Sequence, residues 1–223
     1  MVTDAQLKPW SCIMFDLDGT ITDSAPGILH RLSRTLIQME HPVPPPEELV
    51  RFVGPPILEG FRTLAGMTHE QSLDALLVYR RIAAADGPES DAVVYPGMIG
   101  VLRAIHATGV PLAITTSKSE AQANRVLEHL EIHDLFAVIT GSSEDETRSA
   151  KADVIGEALV RLAALEVDTS RSVLVGDRHH DMDGAFAHGI PAIMVEWGYG
   201  SPQEAARAIH IVHSMDQLQN LLV

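Results

Sequence analysis

A single cysteine, Cys12, is present in 223 residues, which excludes an internal disulfide framework. Placed inside an apolar run, that thiol reads as a small buried apolar residue rather than a nucleophile. Basic residues are scarce as well: 16 against 30 acidic ones give a formal net charge of −14. No Lys/Arg cluster relieves that imbalance, so a nucleic acid polymer is disfavoured as a partner. No stretch has the length and unbroken apolarity of a membrane span, and no membrane partner is expected. The first residues, with Asp4 and Lys8 before Pro9, lack the apolar centre of a signal peptide, which makes the cytoplasm the expected location. There is no internal repeat or low-complexity tract, and the run Pro42-Val43-Pro44-Pro45-Pro46 is too short for an independent recognition segment.

What is present is apolar and alternating. An apolar content of 46% over this length supports one large domain, or a core with a smaller insertion. Residues 24–40 carry Ile28, Leu29, Leu32, Leu36 and Ile37 at helical spacing, and the prolines at 42–46 stop that helix. Further helices are predicted over 56–64 and 70–85, the latter with Leu73, Leu76, Leu77 and Ile82 on its apolar stripe and Gly87-Pro88 at its end. Residues 22–92 thus read as an all-helical insertion. From residue 96 strands and helices alternate. Strands are predicted at 111–115, 136–140, 172–176, 192–195 and 209–212, and helices at 96–107, 120–130, 152–165, 182–188, 204–208 and 215–222. Short apolar strands separated by helices imply an α/β fold whose mostly parallel sheet is covered on both faces.

The chemistry-bearing residues fall where those strands end. Cys12–Phe15 reads as a buried parallel strand, so Asp16 leaves the core at the ligand-binding edge of the sheet. Asp18 is two residues on and can point the same way before Gly19 turns the chain. Two carboxylates this close repel unless a cation or a shared proton compensates them. An Mg²⁺ ion would take one and leave the other free for proton transfer. The plainer alternative is an Asx-turn with Gly19 at positive φ. A second strand ends in Thr115-Thr116-Ser117-Lys118, where Thr116 and nearby N–H groups are placed to hold phosphate oxygens. Ser117 or Ser119 is a candidate helix N-cap there. Lys151 opens a helix, where its charge opposes the dipole unless a countercharge compensates it; the alternative is a solvated surface lysine. The run Gly176-Asp177-Arg178-His179-His180-Asp181 adds two carboxylates at the same edge. With Asp16 and the Asp18 carbonyl, Asp177 and Asp181 compose an oxygen-rich Mg²⁺ site. Consecutive His179 and His180 do not share a face and have no Cys/His ligand spacing beside them, which argues against zinc. Asp183 is expected to face solvent or to cap locally.

Taken together, Asp16-Leu17-Asp18-Gly19-Thr20, Ile114-Thr115-Thr116-Ser117-Lys118, Lys151 and Gly176–Asp181 resemble the haloacid dehalogenase superfamily, in its phosphoglycolate-phosphatase-like branch. The resemblance spans most of the chain. It implies a Rossmann-like three-layer catalytic core over 1–21 plus 93–223, with residues 22–92 as an inserted helical cap. It also implies an aspartyl-phosphate mechanism. Asp16 would attack phosphorus, while Asp18 would protonate the leaving oxygen and later activate water. Thr116 would bind phosphoryl oxygens, and Lys151 would stabilise Asp16 and the transferring group. Asp177 would ligate Mg²⁺, with Asp181 ligating it or orienting its water.

Substrate identity is read more coarsely. Dehalogenases resembling this fold lack the second aspartate, and phosphonoacetaldehyde hydrolase would need a cap lysine, whereas residues 22–92 contain none. The expected partner is a small phosphorylated metabolite such as phosphoglycolate. Nucleoside monophosphates, sugar phosphates and pyrophosphate are also compatible. A sugar-phosphate mutase of the beta-phosphoglucomutase type and a non-catalytic α/β binding protein are the alternatives. In the segment 51–56, Arg51 is placed either to meet a carboxylate or second phosphate or to lie on the surface. The loop 196–201 is placed either near substrate or to pack its own aromatics.

Overall fold

A computed structural model describes residues 10–87 and 93–223. Six parallel strands form the central sheet, in the order β5-β4-β1-β6-β7-β8. These are β1 (Cys12–Phe15), β4 (Leu112–Ser119), β5 (Val138–Ser142), β6 (Ser172–Gly176), β7 (Ala192–Val195) and β8 (Ala208–Val212). The strand bearing Asp16 therefore lies inside the sheet, with parallel neighbours on both sides. Period-two alternation divides its side chains between two apolar layers. Ile13 and Phe15 join one core cluster, and Cys12 and Met14 join the other. The first layer contains α5 (Met98–Ala107), α6 (Glu120–His129) and α9 (Met215–Leu222); the second contains α7 (Lys151–Ala164) and α8 (His179–Ala187). This is the three-layer core expected from the alternating pattern.

Between β1 and α5 the chain builds a separate apolar cluster. It comprises residues of α1 (Ala25–Gln38), α2 (Pro46–Leu49), a 3-10 turn at Val50–Phe52, α3 (Ile57–Thr63) and α4 (His69–Asp86). Phe61 anchors it edge-on to both Phe52 and Tyr79, with ring centroids 6.3 and 6.4 Å apart. Thr68 starts α4 through a reciprocal box, its hydroxyl accepting from Gln71 N and its own N–H donating to Gln71 Oε1. The segment is not helical at its base. There β2 (Thr22–Asp23) pairs antiparallel with β3 (Val93–Val94), forming a two-stranded stem beside the sheet edge.

The expected stripe on α4 also needs correction. Leu76 and Ile82 are buried, but Leu73 and Leu77 are 39% and 60% exposed. Ser72, Ala75, Tyr79 and Ala83 complete the buried face instead. Gly87 follows α4 at φ +84°, while the expected Pro88 stop and residues 89–92 lie outside the described residues.

Candidate active site

Asp16 continues the β1 ladder by one bond, its N–H donating to Val175 O at 2.9 Å, and then the chain turns. Leu17 O accepts from the amides of Thr20, Ile21 and Thr22, which closes a tight loop around Asp18 and Gly19. Gly19 has φ +89°, and a Cβ there would sit 2.4 Å from Asp177 Oδ2. Both its backbone conformation and the approach of Asp177 demand glycine.

Asp16, Asp177 and Asp181 converge beneath this turn. All three are buried, and one ligand oxygen from each lies within 4.8 Å of the others. Lys151, at the first position of α7, places Nζ 2.8 Å from Asp16 Oδ1 and 2.7 Å from Asp181 Oδ1. It also donates to Thr115 O at 2.9 Å, so the ammonium sits against three oxygens. Burial alone would push the Lys151 ammonium down, but Asp16 and Asp181 overcome it and raise its pKa. The countercharge expected for a lysine at a helix start is thus present. Asp181 also accepts the Arg178 N–H through Oδ2 at 3.0 Å, which draws it back toward Asp177.

Three buried carboxylates face one ammonium, and burial together with their mutual repulsion shifts two of them, Asp16 and Asp177. Burial pushes Asp16 up to about 7, against Lys151 and with help from Asp181 and Asp18. Asp177 is raised well above the carboxylate range by burial, then by Asp181 and Asp16. An all-oxygen donor set with uncompensated charge fits a hard divalent cation. The Asp177 carboxylate is fixed before any ion arrives: Oδ2 accepts from Tyr199 N at 2.7 Å and Oδ1 from Thr20 Oγ1 at 3.3 Å. The loop 197–200 that supplies this amide is pressed against Asp177. A Cβ at Gly200 would fall 1.9 Å from Asp177 O.

The Asp18 carboxylate lies outside that trio, where Lys118 Nζ donates to both its oxygens at 3.0 and 2.9 Å. Only its carbonyl stays available for the ligand role expected of it. Lys118 and Thr116 reach the cavity because β4 runs past its expected end at Thr115 and breaks register between Thr115 and Ser119. Thr116 is buried, its Oγ1 accepting from Lys118 N at 3.2 Å. Ser119 precedes α6 but makes no side-chain capping bond.

Asp16, Asp18, Thr116 and Lys118 line one cavity with Phe52, Ile57, Leu76, Tyr79 and Arg80 of the helical segment. Arg51 is exposed and not among the lining residues; Arg80, unremarked in the sequence, occupies the cavity wall instead. The 196–201 loop does not line the cavity either. Trp197 Nε1 donates to Thr20 O at 3.1 Å, and the Tyr199 hydroxyl accepts from the N–H groups of Ser24 and Ala25 at 2.8 and 2.9 Å. That hydroxyl donates to Asp23 Oδ1 at 2.7 Å, pinning the start of α1 to the core. His179 and His180 do not join the carboxylate cluster. Their rings face each other at 3.8 Å, and His179 Nδ1 lies 2.8 Å from Glu204. Asp183 is exposed and pairs with Arg207 at 3.3 Å. No helix among the described residues is long and apolar enough to cross a membrane.

The same architecture occurs in known proteins. The chain is 34% identical to a predicted phosphatase from Clostridium acetobutylicum whose crystal structure superposes with a TM-score of 0.88, over 95% of this chain and 97% of that one. It is 33% identical to the phosphoglycolate phosphatase of Mesorhizobium japonicum, over 84% of this chain and 83% of the relative. It is 41% identical to the tyrosine-protein kinase PtkA of Mycobacterium tuberculosis over 84% of its own length, and spans 62% of that relative. Residues 13–195 match the family model of the haloacid dehalogenase-like hydrolases, a span that runs from the strand before Asp16 to the end of β7. With the carboxylate cluster at the edge of a matching fold, the chain belongs to the haloacid dehalogenase-like hydrolases, in the branch that contains the phosphoglycolate phosphatases.

Proposed function

We propose that the protein is an Mg²⁺-dependent phosphate-monoester hydrolase that acts on a small phosphorylated metabolite through a phosphoryl group carried on Asp16. One observation carries this reading: Asp16, Asp18 and Thr116 line one cavity, with Asp16 Oδ1 2.8 Å from Lys151 Nζ. In the first half-reaction an Asp16 oxygen bonds to phosphorus as the ester oxygen departs with a proton from Asp18. In the second, water bonds to phosphorus, Asp18 takes the water's proton, and the Asp16–phosphorus bond breaks to release inorganic phosphate. Thr116 holds phosphoryl oxygens, and Lys151 offsets charge on Asp16 as it transfers. Mg²⁺ held by Asp16, Asp177, Asp181 and the Asp18 carbonyl would neutralise the carboxylates and the phosphoryl oxygens.

In this reading residues 22–92 are a cap that closes over residues 1–21 plus 93–223 and keeps water from the ester. Support comes from their separate apolar cluster, the stem of β2 and β3, and the side chains they contribute to the cavity. The test is phosphate release from phosphoglycolate and an aryl phosphate, with and without Mg²⁺, by the wild type and Asp16→Asn. Turnover that needs Mg²⁺ and disappears in a folded Asp16→Asn variant is expected; near-wild-type activity in that variant would remove the nucleophile.

The 41% identity to a protein named as a tyrosine kinase favours a second reading, in which a tyrosyl hydroxyl replaces water as acceptor. The two separate by product. With labelled ATP and a tyrosine-containing peptide, the kinase reading gives phosphotyrosine and ADP, whereas the hydrolase reading leaves the peptide unlabelled and releases phosphate from phosphoglycolate.

A further inference from the structure

The cavity is also lined by an ion pair that the hydrolysis scheme does not use, between Arg80 of the helical segment and Glu146 in the loop from β5 to α7. Arg80 of α4 donates through Nη1 to Glu144 O at 2.8 Å and pairs through Nη2 with the Glu146 carboxylate. Arg80 and Glu146 both line the cavity that contains Asp16, and their side chains are 27% and 16% exposed. Glu146 is fixed by its own loop. Its N–H donates to Ser143 O at 3.2 Å, Asp145 Oδ1 accepts from Ser143 Oγ and from Thr147 N and Oγ1, and Ser143 Oγ accepts from Arg148 N. Glu146 itself holds φ +60°, a conformation that costs a non-glycine residue energy and persists only when its surroundings impose it. Burial raises the Glu146 pKa against the pull of Arg80.

A carboxylate presented this way is an unfavourable lining for a site that receives a phosphate dianion. Its placement is accounted for if it stands where an anionic part of the ligand goes. Among the lining residues the cationic side chains are Lys118 and Arg80, and Lys118 is engaged by Asp18. Phe52, Ile57 and Leu76 line the same cavity with apolar surface.

We propose that Arg80 is the specificity-determining residue for a second anionic group on the leaving alcohol, and that Glu146 occupies the Arg80 guanidinium until that group displaces it. The inference rests on the hydrolase reading and names its substrate class: monoesters whose alcohol carries a carboxylate or another phosphate. The planar guanidinium fork suits either anion.

Equilibrium binding tests this without turnover. In an Asp16→Asn background, calorimetry compares phosphoglycolate, propanediol bisphosphate and hydroxyethyl phosphate, whose alcohol carries no second anionic group. The parent protein prefers an ester whose alcohol carries the second anionic group. Arg80→Gln reduces that preference about 10- to 100-fold, the range for a lost charged hydrogen bond, and Arg80→Lys falls between. Glu146→Gln, which removes the competitor, increases the preference several-fold. Whichever anionic ester gains identifies the source of the anion. An unchanged preference in Arg80→Gln or Arg80→Lys would overturn the proposal. So would a Glu146→Gln variant that loses the preference, because the pair would then act only as a closure contact. If the preference follows Arg80 while the wild type releases phosphate from none of these esters, the hydrolase reading fails and the anion receptor stands.

Discussion

Replacing Tyr199 with phenylalanine removes one oxygen and three hydrogen bonds from the joint between the core and α1. The Ser24 N–H, on a fully buried residue, loses its acceptor, and desolvation of an orphaned group costs about 1–3 kcal/mol. The Ala25 N–H is closer to solvent and recruits water at a cost of about 0.5–1 kcal/mol. The bond to Asp23 contributes in the same low range because water replaces it. Removing the desolvation of the phenol itself offsets part of the sum, leaving a loss of about 2–4 kcal/mol. The backbone N–H that holds Asp177 is untouched, so the effect acts on the joint and not on the carboxylate cluster. Urea denaturation followed by circular dichroism measures it. A midpoint lower by about 1 M is expected for an ordinary urea slope. A change below about 0.5 kcal/mol would show that the hydroxyl is not the pin described here.

The remaining predictions concern the carboxylates. Asp177→Ala weakens Mg²⁺ binding by at least about 10-fold, whereas Asp183→Ala, on the exposed face of α8, leaves it unchanged; isothermal titration separates them, and equal losses would refute the ligand assignment. Asp16 binds its proton up to about pH 7 in the folded metal-free protein and only to the ordinary carboxylate range when unfolded. Its contribution to stability is therefore present in acid and lost as pH rises through about 7, so metal-free protein melts lower at about pH 8 than at about pH 5.5, and Mg²⁺ closes the gap. Identical pH dependence with and without Mg²⁺ would contradict this. Asp18→Asn slows both formation and hydrolysis of the phosphoenzyme by about 10²–10⁴-fold in rapid-quench experiments, with metal binding retained through its carbonyl.

Residues whose position follows from a single strand end were legible in the sequence. Asp16 and Asp177 sit where apolar runs stop, and Lys151 at a helix start implied the countercharges it has in Asp16 and Asp181. Local geometry was read less well where hydrogen bonding extends an element. Helix α8 begins at His179 rather than 182 because Asp181 accepts the Arg178 amide, and β4 runs to Ser119 through a register shift. The Asp18–Lys118 and Arg80–Glu146 pairs join residues 100 and 66 positions apart, and no local spacing reports them. Two signals were available. The chain has lysine only at 8, 118 and 151, so the two that follow core strands stand out. Arg80 lies one turn from Leu76 and beside Tyr79 on the inner side of α4, unlike its exposed neighbour Arg81. Leu73 and Leu77 misled the stripe because leucine fits a helix whichever face it occupies.

The central claim, covalent transfer to Asp16, is tested most directly by acid-quenching a turnover of phosphoglycolate with Mg²⁺ and mapping the phosphorylated peptide by mass spectrometry. One base-labile phosphoryl group on the peptide containing Asp16, absent from Asp16→Asn, is the predicted result. Label on another residue, or full turnover with no labelled protein at any quench time, would contradict it.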